Sequence, residues 1–400
     1  TLPIGLSVRN ILFTGVLDRL IAGSDVRVVA FTGVPDLAER YPHTSDRLIF
    51  EPLPVRRRYR LNGLLNYSLN LRFNHLNDDP ALTSIKEKRG WLRRIKPKQF
   101  MLESILSQPL PKSKFIYRWL SAIHHRRVAS SKAVRLLFDR YRPSLLFATN
   151  PNAMNEFDFL KQATDTGITT VGMIHSWDVL TTEGRIVVPL DHYFLWNQVM
   201  ETELIKIHGV SEEQISITGI PQFDVYAEPI SPNGKQIFLR EQGLDPGKPT
   251  VLFATSAGGL TPEEPEILSC LVTALNRECP GRVQFLVRLH QQDDIGRYAA
   301  LRDPNVKFQV PGAQMKNLDD WRLMDDTDLR LLRDTLAYSD VVVNTASTIS
   351  IDAISLDKPV VNIAFDLHER EYFRSVRQYF NRVHFQLVVK SGASKLAGSF

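Results

Sequence analysis

The strongest constraint on this chain is its rhythm: short apolar runs recur along it, separated by amphipathic stretches with helical spacing. In the first half the runs are DVRVVAF (25–31), RLIF (47–50), SLLFATN (144–150), TTVGMI (169–174), HYFLW (192–196) and ISITG (215–219). In the second they are TVLFATS (250–256), VQFLVRLH (283–290), VKFQV (306–310), DVVVNT (340–345) and PVVNIAF (359–365). Helical patterns such as 130–141, 155–167 and 326–339 lie between them. Strands that alternate with helices build parallel sheets covered on both faces, so the expected class is α/β. At 400 residues the chain exceeds one ordinary core, and Pro and Gly concentrate over 226–249. Two doubly wound domains, 1–225 and 226–400, are expected, with a cleft between them.

A stretch over 55–130 breaks the rhythm and reads as a basic helical insertion on the first domain. It holds seventeen Lys and Arg against four Asp and Glu, while the whole chain carries a formal net charge of +5. Its interleaved aromatics and cations suit an anionic membrane surface or a polyanionic acceptor; the plainer alternative is a solvated helical face. No recognised nucleic-acid-binding motif accompanies the charge, so nucleic acid is not expected as a partner. With 43% hydrophobic and 23% charged residues the chain has a globular composition. No run approaches the roughly eighteen apolar residues of a membrane span. Cys270 and Cys279 lack metal-ligand spacing and cannot staple the chain, which favours a reducing cytoplasm, with peripheral attachment at the inner membrane face. The opening TLPIGLSVRN reads as the tail of a strand entering a helix, and the closing SGASKLAGSF holds no convincing element.

Open parallel sheets bind ligands beyond the C-terminal ends of their strands. At one such end, VVVNTASTISID (341–352), Asn344, Thr345, Ser347, Thr348 and Ser350 gather where a strand gives way to a helix expected to begin around Ser347. Helix-terminal amides plus hydroxyls suit a phosphate; Ser347 as a simple N-cap is the competing reading. In VRLHQQDD, Arg288 and His290 alternate, share a strand face and suit phosphate oxygens. In VGMIHSWDVLTTEG, His175 is the candidate general base, with an ordinary pKa near 6.5, and Asp178 the residue to orient it. TGIPQFD sets Gly219, Pro221 and Asp224 at a tight turn or hinge, and TSAGG offers Ser256 among residues small enough for close backbone approach. The DDTD run (325–328) reads as helix capping, not metal ligation, and no P-loop or zinc pattern occurs. Neither a cofactor nor a metal is expected.

Taken together, these segments resemble GT-B glycosyltransferases of bacterial surface-polysaccharide assembly and the related CDP-glycerol glycerophosphotransferases. The tail pattern of that group falls on Ser347-Thr348, Asp352, Lys358-Pro359 and Asp366; its Gly-X-Pro-X-X-Asp falls on Gly219, Pro221 and Asp224. Its loop His corresponds to His175 and its basic-X-His strand end to Arg288 and His290. The resemblance covers roughly 140–375. It departs at Thr345-Ala346, where the glycerophosphate enzymes carry Asp-Tyr, at Ser176, where they carry Gly, and at Gln222, where they carry Arg. These departures favour a sugar donor over CDP-glycerol. The resemblance implies two Rossmann-type domains and an inverting, metal-independent transfer from a nucleotide-sugar donor to a glycan or lipid-linked glycan acceptor. It further implies that Arg288, His290, Ser347 and Thr348 bind the donor phosphates and that Asp352 and Asp366 contact donor hydroxyls. A nucleotide-sugar 2-epimerase of the same fold is the competing enzyme class.

Overall fold

The computed structural model describes residues 1–34, 36–41, 45–54, 68–70, 72–73, 93, 96–98, 100–101, 105, 113–127, 130–152, 156–231, 233–257, 260–314, 322–368 and 375–399. Most of the basic insertion expected at 55–130 therefore lies outside the described residues. The chain divides into two compact units, Thr1–Ile220 and Pro221–Phe400. That division falls ahead of the Pro- and Gly-rich stretch 226–249, which instead surrounds the first helix of the second unit.

The N-terminal unit runs α1 (Gly5–Leu12), α2 (Val16–Ala22), β1 (Val28–Thr32), α3 (Leu37–Arg40), β2 (Leu48–Pro52), α4 (Lys114–Arg127) and α5 (Lys132–Tyr141). It continues through β3 (Leu145–Ala148), α6 (Phe157–Asp165), β4 (Thr169–Met173), α7 (Val179–Thr182), β5 (His192–Leu195), α8 (Gln198–Glu203) and β6 (Ile215–Ile217). A π-helical turn, Leu204–His208, extends α8. Strands β1 and β2 pair in parallel, and β3-β4-β5-β6 form a four-stranded parallel sheet in chain order. Side-chain caps set two helix starts: Ser131 accepts from the Val134 amide ahead of α5, and Asn197 from the Met200 amide ahead of α8.

The C-terminal unit opens with a 3₁₀ segment, Pro221–Ala227. It runs through α9 (Gly234–Glu241), β7 (Thr250–Ala254), α10 (Glu264–Glu278), β8 (Gln284–Arg288), β9 (Val306–Gln309), β10 (Ala313–Gln314) and β11 (Arg322–Leu323). Beyond these come α11 (Asp326–Tyr338), β12 (Val341–Asn344), α12 (Ile349–Ser355), β13 (Val360–Ile363), α13 (Val376–Tyr379), α14 (Val383–Lys390) and β14 (Ser394–Ala397). Six of these strands form one parallel sheet ordered β14-β13-β12-β7-β8-β9. Alternate residues face opposite layers. Val251, Phe253, Phe285, Val287 and Val343 pack with Ile267, Leu268 and Val272 of α10, whereas Leu252, Leu286 and Val342 pack with Leu239 of α9, Leu332 and Leu336 of α11 and Ala353 of α12. Every residue of β7 and β8 is buried, as central strands covered on both faces require.

One expectation is corrected. The closing segment does form an element, since β14 pairs in parallel with β13 over Val360↔Ser394 to Ile363↔Ala397. It is an edge strand whose Lys395 and Leu396 are exposed, so it lacks the apolar run of a central strand.

Candidate functional site

Reading outward from β7, the sheet order is β7-β8-β9 on one side and β12-β13-β14 on the other. This is the doubly wound order in which the chain leaves β7 and β12 in opposite directions, and open sheets of this kind bind ligands beyond the C-terminal ends of the strands at such a point. The two loops flanking that point are tied together by one acid. Glu264, at the start of α10, accepts the Ser256 amide at 2.8 and 3.0 Å, the Ser256 hydroxyl at 3.0 Å and the Thr345 hydroxyl at 2.7 Å. Glu264 is fully buried, and burial outweighs these bonds, pushing its carboxyl up to about 7.

The turn after β12 is built by Asn344. Its Oδ1 accepts the Ser347 amide at 3.0 Å, its Nδ2 donates to Ser350 at 3.1 Å, and Asn362, its register partner on β13, donates to Ser350 at 2.9 Å and to Asn344 at 3.0 Å. Asn344, Ser350 and Asn362 have no exposed surface. The structure therefore removes Ser350 from the expected ligand set, because its hydroxyl is consumed in this clasp. It also moves the helix start: Thr348, not Ser347, holds the N-cap position of α12, without a side-chain cap bond. Ser347 Oγ accepts only the Ile349 amide, at 3.5 Å, and Ser347 and Thr348 are both partly exposed. Ala346 between them and the strand adopts φ +48°, a left-handed conformation that costs a non-glycine residue roughly 1–2 kcal/mol.

The other expected donor-side residues separate into distinct places. Arg288 is buried at the end of β8, where it donates to Gln309; burial pushes the nearby Asp328 carboxyl up, and the Arg288 charge opposes that shift only in part. Arg288 and His290 both bond Thr255 through their backbones, the Arg288 carbonyl accepting its amide at 3.0 Å and the His290 amide donating to its hydroxyl at 2.9 Å, while His290 Nδ1 accepts the Gln292 amide at 3.1 Å. Ser256 is buried and held by Glu264. The buried Asp352 carboxylate accepts the Tyr226 hydroxyl at 2.6 Å. Asp366 accepts the Ser375 hydroxyl and the Val376 amide at the start of α13. Gly219, next to the last residue of the N-terminal unit, has φ +72°, and Asp224 lies within the 3₁₀ segment of the C-terminal one. The DDTD run caps α11: Asp325 accepts the Asp328 amide at 2.9 Å and Asp328 accepts the Asp325 amide at 3.3 Å.

In the N-terminal unit, His175 follows β4 and is buried, with its Nδ1 lacking a hydrogen-bond partner among the described residues. Burial pushes its imidazole down to about 4, against the opposing pull of Asp178, so the ring is neutral near pH 7. Asp178 does not bond His175; its carboxylate accepts the Ser176 hydroxyl at 2.7 Å. Instead, Glu183 Oε1 lies 4.0 Å from His175 Nε2. Burial and the Asp178 charge push the Glu183 carboxyl up to about 7, although 40% of its side chain is exposed. A carboxyl of that kind, open to solvent yet titrating near neutrality, suits proton transfer.

Sequence reading assigned no role to Glu264, Glu183 or Asn362. Glu183 lies in the polar loop already singled out after His175, but nothing local marks one acid of that loop above another. Glu264 reads as a first-turn acid favouring its helix dipole. Only the pairing of β7 with β12 shows that it faces Thr345.

No family model matches the chain, and no curated protein matches it in sequence. Solved structures do. A candidate UDP-N-acetylglucosamine 2-epimerase from Listeria monocytogenes is 9% identical, with a TM-score of 0.51 over 99% of this chain and 82% of that one. A glycosyltransferase from Rickettsia africae is 9% identical, with a TM-score of 0.47 over 96% and 87%. MnaA from S. aureus, solved with UDP, is 14% identical, with a TM-score of 0.43 over 66% of this chain and 65% of its own, so the chain spans just under two thirds of that protein. The fold is thus GT-B-like, with two Rossmann-like α/β units.

Proposed function

We propose that the protein is an inverting, metal-independent glycosyltransferase that takes a sugar from a nucleotide-activated donor. The observation that carries this reading is the strand-end turn at the β7/β12 switch point, where the Ser347 and Thr348 hydroxyls are partly exposed beside a loop locked by Asn344 and Glu264. Nucleotide diphosphates are anions that such preorganised donors hold, at roughly 1.5–3 kcal/mol for each charge-assisted bond. His290, in the loop after β8, is the further phosphate contact of this reading, with Arg288 acting from beneath through its charge. In this reading Asp352 and Asp366 contact ribose or sugar hydroxyls, Asp352 beside the bond it accepts from Tyr226 and Asp366 through lone pairs remaining on the two oxygens that Ser375 and Val376 engage.

Acceptor activation belongs to the N-terminal unit. Glu183 removes the acceptor hydroxyl proton, because its carboxyl is poised near neutrality while the His175 imidazole is too weak a base. His175 Nε2 stands 4.0 Å from Glu183 Oε1, and burial, with the Asp178 charge behind it, keeps the Glu183 proton affinity high. The basic stretch 55–130 supports an acceptor that is polyanionic or lipid-linked and presented at an anionic membrane face.

Two neighbouring chemistries are tested by the same experiment. The Listeria monocytogenes structure named above, which shares this fold along nearly the whole chain, brings in nucleotide-sugar 2-epimerisation. The sequence pattern brings in polyol-phosphate transfer from CDP-glycerol. NMR analysis of products from UDP-, GDP-, dTDP- and CMP-sugars and CDP-glycerol, with and without a glycan acceptor, separates them. Sugar transfer that requires acceptor supports the proposal; a changed sugar configuration with donor alone, or turnover of CDP-glycerol only, overturns it.

A further inference from the structure

The N-terminal unit contains a cavity of about 300 Å³ that the proposed transfer does not use. Its walls are α4, the segment leading from α7 to β5, the π-helical turn after α8, and Phe73. Arg118, Arg185 and Lys206 line it, and no carboxylate does among the described residues. Arg185 is buried and hydrogen-bonded to the Tyr117 hydroxyl, with Nη2 3.2 Å from His124 Nδ1, which fixes the guanidinium in place. Arg118 lies against Gly209, where a side chain's first carbon would meet its guanidinium at 3.2 Å. His125 Nε2 is buried on the same wall without a hydrogen-bond partner among the described residues. Phe73 and Tyr117, with ring centroids 6.3 Å apart, supply an apolar side.

Such a lining is costly without an anion, because like charges held together repel and a buried imidazole nitrogen forfeits a hydrogen bond. Two guanidinium forks match the oxygens of a phosphate group, and the aromatic wall matches a ring or chain attached to it. A volume of about 300 Å³ lies at the lower end of small-molecule pockets, enough for one phosphate ester but not for a nucleotide sugar. We infer that this cavity is a second anion site, taking the phosphate group of a phosphate ester on Arg118, Arg185, Lys206 and His125. Two sources carry that chemistry: a soluble ester and a lipid headgroup. The second is pertinent because Phe115 and Trp119, one turn apart on α4, are 77% and 57% exposed beside Arg118.

The inference is independent of the donor reading, since it concerns the other unit. Calorimetric titration of phenyl phosphate into the full chain tests it, alongside sedimentation with phosphatidylcholine vesicles containing phosphatidic acid. Binding is expected in the wild type, weakened at least about tenfold in the Arg118→Ala/Lys206→Ala double variant, whose two side chains are exposed, and unchanged in Ser347→Ala/Thr348→Ala. Vesicle sedimentation that is lost in Arg118→Ala/Lys206→Ala assigns the phosphate to a lipid headgroup; phenyl phosphate binding without sedimentation assigns it to a soluble ester. No binding by the wild type, equal affinity in Arg118→Ala/Lys206→Ala, or a loss confined to Ser347→Ala/Thr348→Ala overturns the inference.

Discussion

The Thr345 hydroxyl donates to Glu264 Oε1 at 2.7 Å, joining the loop after β12 to the first turn of α10 across the point where the sheet order reverses. Glu264 also holds the Ser256 amide and hydroxyl, so one buried carboxyl sets the shape of both strand-end loops.

That carboxyl makes stability depend on pH in a definite direction. Its folded pKa, about 7, lies above the ordinary value of 4.5, so the native state binds more protons between these limits. The Glu264 contribution is fully present below pH 4.5 and is lost as pH rises through 7, by up to about 3 kcal/mol. His175 and His208, both pushed down to about 4, act in the opposite sense, their contributions being lost as pH falls below about 6.5. Urea melts of wild type and Glu264→Gln isolate the acid: the wild-type advantage should shrink from pH 4.5 to 7. A difference that stays flat or grows contradicts the assignment.

The Asn344–Ser350–Asn362 clasp engages the Ser350 hydroxyl, whereas the proposed donor contacts Ser347 and Thr348 lie outside it. Ser350→Ala leaves two buried amides short of a partner and is expected to destabilise the protein by about 1–3 kcal/mol. Donor KM should remain near wild type at temperatures where the variant stays folded. A raised KM with unchanged melting would return Ser350 to the ligand set.

Much of this was legible in the sequence. All eleven apolar runs became strands because each is bounded by turn residues or polar caps, including β2 and β6, whose residues are only partly buried or exposed. DDTD was readable as a cap because capping is local. What escaped was non-local. Asn344 reads as one more polar residue until β13 brings Asn362 into register with it. Arg288 and His290 look like a pair on one face, yet the strand ends at Arg288, so alternation no longer governs His290. The β10–β11 hairpin is too short, at two residues a side, to carry any periodic signal.

Ala346 offers a local check on the turn. Glycine tolerates φ +48° without the steric cost, so Ala346→Gly should be neutral or stabilising by up to about 1 kcal/mol once its greater unfolded-state freedom is counted. Destabilisation beyond about 1 kcal/mol in thermal melts would show that the methyl group is packed and the conformation unstrained.

In the N-terminal unit, the rate should report Glu183. The plot of kcat/KM is expected to rise with pH to a plateau through an apparent pKa near 7, and Glu183→Gln should lose that limb along with about 10²–10⁴ in kcat. His175→Ala should lower kcat by less and leave the limb in place. A limb that survives in Glu183→Gln but vanishes in His175→Ala would make His175 the base instead.

The central claim is that a nucleotide diphosphate binds the Ser347–Thr348 turn at the β7/β12 switch point. The most direct measurement is a thermal-shift panel of CDP, UDP, GDP, dTDP and CMP on wild type and Ser347→Ala/Thr348→Ala. The account predicts that at least one diphosphate raises the wild-type melting temperature and that the double variant loses most of that shift. No shift with any diphosphate, or an equal shift in the variant, would contradict it.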